Sequence, residues 1–148
     1  MGLTAVLLAL AAVAGGCTES RAAVGHSCGA LDRQFIQTAT VDMTALGVLA
    51  DGYQSGAMTA TEVVREARAS AKRVTHTAPR DPSLRQAQRY IGAMFSEYGD
   101  AVHRRAEGKD DAGERMYRAY GLANFARDVL VQAQPALAEQ GCDVGPLL

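Results

Sequence analysis

Apolar side chains recur every three or four residues along four successive stretches of this chain. This spacing places them on one face of an α-helix, because an α-helix completes a turn in about 3.6 residues. The alternation of apolar and polar residues that is typical of a β-strand is absent from the sequence. We therefore predict an all-α protein with helices at about 29–53, 60–78, 82–107 and 111–140.

Residues that are typical of helix ends bound these stretches. Thr59 and Glu62 have the spacing of a capping box, in which each side chain bonds to the backbone N–H of the other residue. Asp111 and Glu114 repeat that spacing ahead of the fourth helix. Gly141 supplies a residue that adopts the left-handed conformation at a helix C-terminus.

The connections between the predicted helices are short, so successive helices are expected to be antiparallel neighbours in an up-down-up-down four-helix bundle that spans residues 28–148. In that topology Cys28 and Cys142 lie at the same pole. We predict a disulfide between them, and closing so large a loop stabilises a domain by roughly 4–5 kcal/mol in the chain-entropy treatment. The alternative is a pair of buried free thiols.

An apolar run at residues 3–14 is followed by two glycines and Cys17. The run is shorter than the roughly 20 residues that a membrane-spanning helix needs, and it fits the apolar region of a signal peptide. The stretch Val13–Cys17 resembles the lipobox of bacterial lipoproteins. In that family the leader is cut before the cysteine, whose sulfur carries a diacylglyceryl group. The chain also resembles small actinobacterial lipoproteins in its arginine-rich, alanine-rich composition.

The resemblance implies that residues 1–16 are removed, that Cys17 is lipidated and that residues 17–27 form a flexible tether. It places the domain on the extracytoplasmic face of the cell membrane and implies no active site. Lipidation of Cys17 would also leave two cysteines free to pair in an oxidising compartment. The alternatives are cleavage after Ala14, which follows an A-x-A pattern and gives a secreted protein, and an uncleaved anchor.

Composition excludes several classes of function. The formal net charge is −1, which gives no long-range attraction to nucleic acid. The sequence contains no C-x-x-C-H haem motif, no phosphate-binding glycine loop and no serine in a nucleophile elbow. We therefore expect neither a cofactor nor an enzymatic activity.

A metal site is also not expected. Glu97, Asp100 and His103 include a D-x-x-H pattern that is similar to part of a di-iron motif. At about 100° per residue, these three side chains point away from the apolar face of the third helix.

Asp42 lies close to the apolar face of the first helix, so its carboxylate is expected to be partly buried and to need a partner. Its level along the bundle predicts a hydrogen bond to Tyr98 or Ser70, with Arg68 as a charged alternative. Asp42 then either fixes the position of the first helix or, together with Tyr98, binds a small ligand between the helices.

The fourth helix carries a second stripe on the side away from its core face: Tyr117, Tyr120, Asn124, Arg127 and Val131. Tyrosine and arginine are enriched at binding hot spots, so Tyr117, Tyr120 and Arg127 form a candidate surface for a protein partner. The alternatives are ordinary surface tyrosines or residues covered by the tether. We expect a membrane-tethered, non-enzymatic interaction module. The second hypothesis is a small-ligand-binding lipoprotein with a pocket that involves Asp42, and an enzyme comes third.

Overall fold

Four helices make up most of residues 27–148, the part of the chain that the computed structural model describes. They are α1 (Ala30–Gln54), α2 (Ala60–His76), α3 (Pro82–Ala106) and α4 (Ala112–Glu139), followed by a short 3₁₀ turn at Gly145–Leu147. The described residues contain no strand, and the helices pack as the predicted all-α four-helix bundle. The predicted leader at 1–16, Cys17 and nearly all of the tether lie outside the described residues.

Local chemistry explains most helix ends. Thr59 Oγ1 accepts from the Glu62 N–H at 3.3 Å, and the Glu62 carboxylate accepts from the Thr59 N–H at 2.8 Å, which confirms the capping box. The Thr59 backbone N–H and, to a smaller extent, the Thr59 hydroxyl donate to the Glu62 carboxylate, and these two hydrogen bonds lower the pKa of Glu62. The box predicted for α4 is wrong: the Asp111 side chain caps no N–H and instead accepts from Arg115 at 3.4 Å. Gly141 has a φ of 80°, as its predicted left-handed role requires.

The second helix ends two residues earlier than predicted. Thr77 is extended, with a ψ of 156°, and its backbone N–H and hydroxyl both donate to the Val74 carbonyl. Ala78 precedes Pro79, and a residue before proline is driven out of the helical region by the proline ring. The Gln88 side chain of α3 donates to the same Val74 carbonyl at 3.0 Å and so completes the end of α2.

The core lies between α2, α3 and the inner faces of α1 and α4. Small residues bring α2 and α3 close together: a Cβ added to Gly99 would lie 3.3 Å from the Ala67 Cβ, and one added to Gly92 would lie 2.6 Å from a Thr75 methyl group. Gly92 and Gly99 therefore permit close contact between α3 and α2. Large side chains that are fully buried in this core are Phe35, Phe95, Leu84, Leu130, Leu137, Val63, Val74 and Val102.

A disulfide pair joins the two ends of the bundle. The sulfurs of Cys28 and Cys142 lie 2.00 Å apart and their Cα atoms 5.1 Å apart, at one pole, as the topology predicts. The Cys28 N–H donates to the Gln140 carbonyl at 2.7 Å beside them. Val144 is buried at the same pole, where the 3₁₀ turn contacts both α1 and α4.

Away from this pole, α1 and α4 do not approach one another. No Cα atom of α1 lies within 8 Å of a Cα atom of α4. Helix α1 packs mainly on α2, whereas α4 packs mainly on α3. Within residues 27–148, no helix combines the length and the apolar character that a membrane crossing requires.

Candidate functional site

The Asp42 carboxylate is buried, with 3% of its side chain exposed, and both of its oxygens are occupied. The Ser70 hydroxyl donates to Oδ1 at 3.0 Å, which confirms that predicted hydrogen bond. The charged partner is Arg73 rather than Arg68: its Nε donates to both oxygens at 3.0 and 3.2 Å, and its Nη2 donates to Oδ1 at 2.5 Å. Arg68 instead pairs with Asp100 at 3.4 Å.

Arg73 is better placed than Arg68 because it follows Ser70 by three residues and so lies on the same face of α2 one turn later. Its guanidinium also donates to Glu66 at 2.7 Å. Hydrogen bonds to Asp42 and then to Glu66 raise the pKa of Arg73, so the guanidinium stays charged beside the buried carboxylate. This network fills the hydrogen-bonding capacity of Asp42 with groups of the protein itself.

Tyr98 is the second residue of the predicted ligand site. Among the described residues, Asp42 is hydrogen-bonded to Ser70 and Arg73, and no hydrogen bond links it to Tyr98. Burial raises the pKa of Tyr98, and the nearby phenol groups of Tyr120 and Tyr53 raise it further. Tyr98 therefore belongs to a group of three tyrosines contributed by α1, α3 and α4.

Asp32 is a second buried acid, and sequence reasoning missed it. Its carboxylate accepts from the backbone N–H groups of Arg80 at 2.6 Å, Asp81 at 3.1 Å and Gly29 at 3.2 Å. These bonds fasten the first turn of α1 to the loop between α2 and α3. An acid in the first turn of a helix was visible in the sequence, but the partner loop was not.

The residues of the metal pattern contact neighbouring polar side chains. Glu97 lies 3.3 Å from Arg115, Asp100 lies 3.4 Å from Arg68, and His103 lies 3.5 Å from Glu107. Residues 27–148 contain no cluster of three histidine, cysteine or acidic side chains that is arranged to hold a metal ion.

The outer face of α4 exposes large apolar and aromatic side chains. Tyr117 is 80% exposed, Tyr120 65%, Phe125 57% and Val131 45%. The predicted residue Arg127 is also exposed on this helix. Phe125 was not predicted, because it falls between the core stripe and the outer stripe, and its ring lies 5.7 Å from that of Tyr90 on α3.

Tyr117 stands between two open grooves that run along α4. The Tyr120 groove, about 430 Å³, is lined by Ala101 and Arg105 of α3 and by Gly113, Met116, Tyr117 and Tyr120 of α4. The Phe125 groove, about 440 Å³, is lined by Glu97 of α3 and by Tyr117, Arg118, Gly121, Leu122 and Phe125 of α4. Tyr117 thus contributes a wall to each groove.

Two glycines flank Tyr117 on this face, one turn before it and one turn after it. A Cβ added to Gly113 or to Gly121 would meet no atom within 4 Å, so nothing inside the described chain requires either glycine. A glycine inside a helix costs about 0.5–1 kcal/mol relative to alanine. The face therefore combines protruding aromatic side chains with bare backbone, an arrangement that permits close approach by another molecule.

Comparison of the chain with models of known protein families, with curated proteins and with solved structures found no match in any of the three.

Proposed function

We propose that this chain is a membrane-tethered, extracytoplasmic lipoprotein that acts as a non-enzymatic interaction module and binds a protein partner through the outer face of α4. The observation that carries the proposal is the exposure of Tyr117, Tyr120, Phe125 and Val131 on a single helix. Aromatic side chains give a large contact area with few rotatable bonds, which makes them effective anchors of protein interfaces.

The disulfide pair supports the proposed location. Cys28 and Cys142 lie at disulfide distance, and such bonds persist in compartments outside the reducing cytosol. The lipobox-like stretch that ends at Cys17 supplies the proposed anchor. Mass spectrometry of the protein isolated from its native membrane tests this part: the expected N-terminal residue is Cys17 with a diacylglyceryl group.

The contacts of the acidic residues support a non-enzymatic role. Both oxygens of Asp42 accept hydrogen bonds from Ser70 or Arg73, and both oxygens of Asp32 accept from backbone N–H groups. A general acid or base needs an oxygen that is free to exchange a proton with a substrate. The same contacts favour a structural role for Asp42 over the alternative role in a small-ligand pocket.

The experiment is a pull-down of the tethered protein from its native membrane, with wild type compared with the double variant Tyr117→Ala/Tyr120→Ala. We expect the double variant to lose its partner, while its unfolding midpoint in urea stays close to that of wild type because both side chains are mostly exposed.

The matched control is Val41→Ala/Val48→Ala. These valines are 61% and 67% exposed on α1, so the control removes a similar exposed apolar pair from a different helix. The proposal fails if the control loses the partner as completely as the tyrosine variant does, or if the tyrosine variant retains it. A large loss of stability in the tyrosine variant would show that these side chains are core.

A further inference from the structure

The two grooves beside Tyr117 differ in charge. In the Phe125 groove, Arg118 lies 4.0 Å from Glu97 and 3.4 Å from Glu114, so its charge is compensated within the chain. In the Tyr120 groove the charged lining residue is Arg105, and it forms no ion pair with any residue in 27–148.

Two of the three acids that next follow Arg105 in the chain have other partners, and the third, Asp110, forms no ion pair with Arg105. Glu107 lies 3.5 Å from His103, and Asp111 lies 3.4 Å from Arg104. Arg105 therefore presents an uncompensated guanidinium at one side of a groove whose other lining residues are alanine, glycine, methionine and tyrosine.

Resting on the proposed function, we infer that the Tyr120 groove recognises an acidic segment of the partner: an apolar side chain enters between Tyr117 and Tyr120, and an adjacent Asp or Glu carboxylate pairs with Arg105. A guanidinium presents N–H donors in a planar fork that matches the two oxygens of a carboxylate. The apolar lining strengthens such a pair, because it displaces part of the water that would otherwise screen it.

The position of the groove favours a peptide over a lipid headgroup. Gly113 lies at the start of α4, and the disulfide pole lies beyond its other end at Glu139. At 1.5 Å per residue this separation is about 39 Å. The chain enters the domain at the disulfide pole, so a tethered domain holds the Tyr120 groove at the pole that is farther from the point of attachment.

The test begins with a displayed library of random 12-residue peptides, selected on the full-length oxidised protein. The most enriched peptide is then synthesised with a fluorescent label, and its binding is measured by anisotropy. We expect enriched peptides to carry Asp or Glu beside a large apolar residue. Arg105→Gln should weaken binding of the labelled peptide at least tenfold, and added salt should weaken its binding to wild type.

Arg89→Gln is the matched control. Arg89 is exposed on the same helix and forms no ion pair with the described residues, so its removal changes the net charge equally and should change binding less than twofold. Circular dichroism of each variant checks that the fold is retained.

The outcomes separate the inference from the proposed function. Selected peptides without acidic enrichment, or equal binding by wild type and Arg105→Gln, would overturn the acidic-segment inference while leaving α4 as the binding face. Peptides that bind the Tyr117→Ala/Tyr120→Ala variant as tightly as wild type would overturn both. If phosphatidylglycerol vesicles sediment with wild type but not with Arg105→Gln, the ligand of the groove is an anionic lipid and the peptide inference is wrong.

Discussion

Helices α1 and α4 flank the α2–α3 pair, yet they are attached to it by different means. Helix α4 buries Ala119, Ala126, Leu130 and Leu137, and its arginines pair with acids of α3 at the surface. Helix α1 also buries apolar residues, but two of its six buried side chains are carboxylates, and its N-terminal end is held by the disulfide. The first helix is positioned by directional bonds, and the fourth mainly by apolar packing.

The difference shows how a bundle with simple apolar faces specifies the position of each helix. Apolar burial is non-directional, so an apolar stripe alone permits sliding and rotation. The hydrogen bonds of Asp32 and Asp42 each require a defined geometry, one near the start of α1 and one near its middle. Because α1 lacks close contact with α4, these bonds and the disulfide fix the position of α1 in place of packing against a third helix.

The largest expected effect comes from removing the disulfide. Cys28→Ser/Cys142→Ser opens a loop with a sequence separation of 114, and we expect a loss of about 4–5 kcal/mol in the free energy of unfolding. Urea denaturation measures the loss. Hydrogen exchange should show that the amides of α1 lose more protection than those of α3.

An equal rise in the exchange rates of α1 and α3 in this variant would contradict the claim that α1 depends more on directional bonds than the other helices do. That outcome would mean that α1 is held as firmly by its apolar face as the other helices are by theirs.

Removal of the Asp42 carboxylate should have the next largest effect. Asp42→Ala leaves Ser70 buried without its acceptor and Arg73 without its main partner, and we expect a loss of about 2–3 kcal/mol. The value lies below that for a fully buried pair because the Arg73 side chain is 46% exposed. Thermal unfolding measures it.

Asp51→Ala is the control, because it removes an exposed acid from the same helix. We expect a change of less than about 0.5 kcal/mol for this variant. Similar losses for the two variants would contradict the special role of Asp42.

Two matched glycine substitutions compare a packed helix contact with the open face of α4. Gly99→Leu places side-chain atoms against Ala67 and should destabilise by about 1–3 kcal/mol. A Cβ added at Gly121 meets no atom within 4 Å, so Gly121→Leu should stabilise by about 0.5–1 kcal/mol through helix propensity. Chemical denaturation measures both.

The same Gly121→Leu variant tests the proposed interface, since it covers exposed backbone on the outer face of α4. It should weaken recovery of the partner while it stabilises the fold. A stabilised variant that retains full partner binding would show that the glycine is not used in binding.

The smallest expected effect concerns Tyr98 at high pH. Burial, assisted by Tyr120 and Tyr53, raises the pKa of Tyr98 in the folded state above its ordinary value near 10. The folded state therefore holds this proton more tightly than the unfolded state, and the resulting stability is present below pH 10 and is lost as the pH rises through the folded-state pKa. Tyr98→Phe should reduce the fall in stability between pH 9 and pH 11. An unchanged slope would contradict this.

The sequence predicted the features that depend on one helix at a time. The four helices, the capping box at Thr59 and the left-handed Gly141 follow from local periodicity and backbone preference. The disulfide followed from the topology, because an even number of helices returns the chain to its starting pole.

Features that depend on the rotation and height of one helix against another were not predictable in the same way. Asp42 was placed correctly against Ser70, but a small rotation of α2 decides between Arg68 and Arg73. The bonds from Asp32 to the backbone at Arg80 and Asp81 join residues nearly fifty positions apart. The uncompensated charge of Arg105 becomes visible only when the partners of the surrounding acids are known.

The position of the disulfide has a mechanical consequence. Cys28 directly follows Ser27, the residue through which the chain enters the described domain. Tension applied through the preceding residues therefore acts on the start of α1 and on the C-terminal end of α4 together. Helix α1 cannot separate from the bundle from its N-terminal end while the disulfide is intact. A domain pulled from its N-terminal side would therefore resist unfolding as one unit, and the outer face of α4 would stay folded.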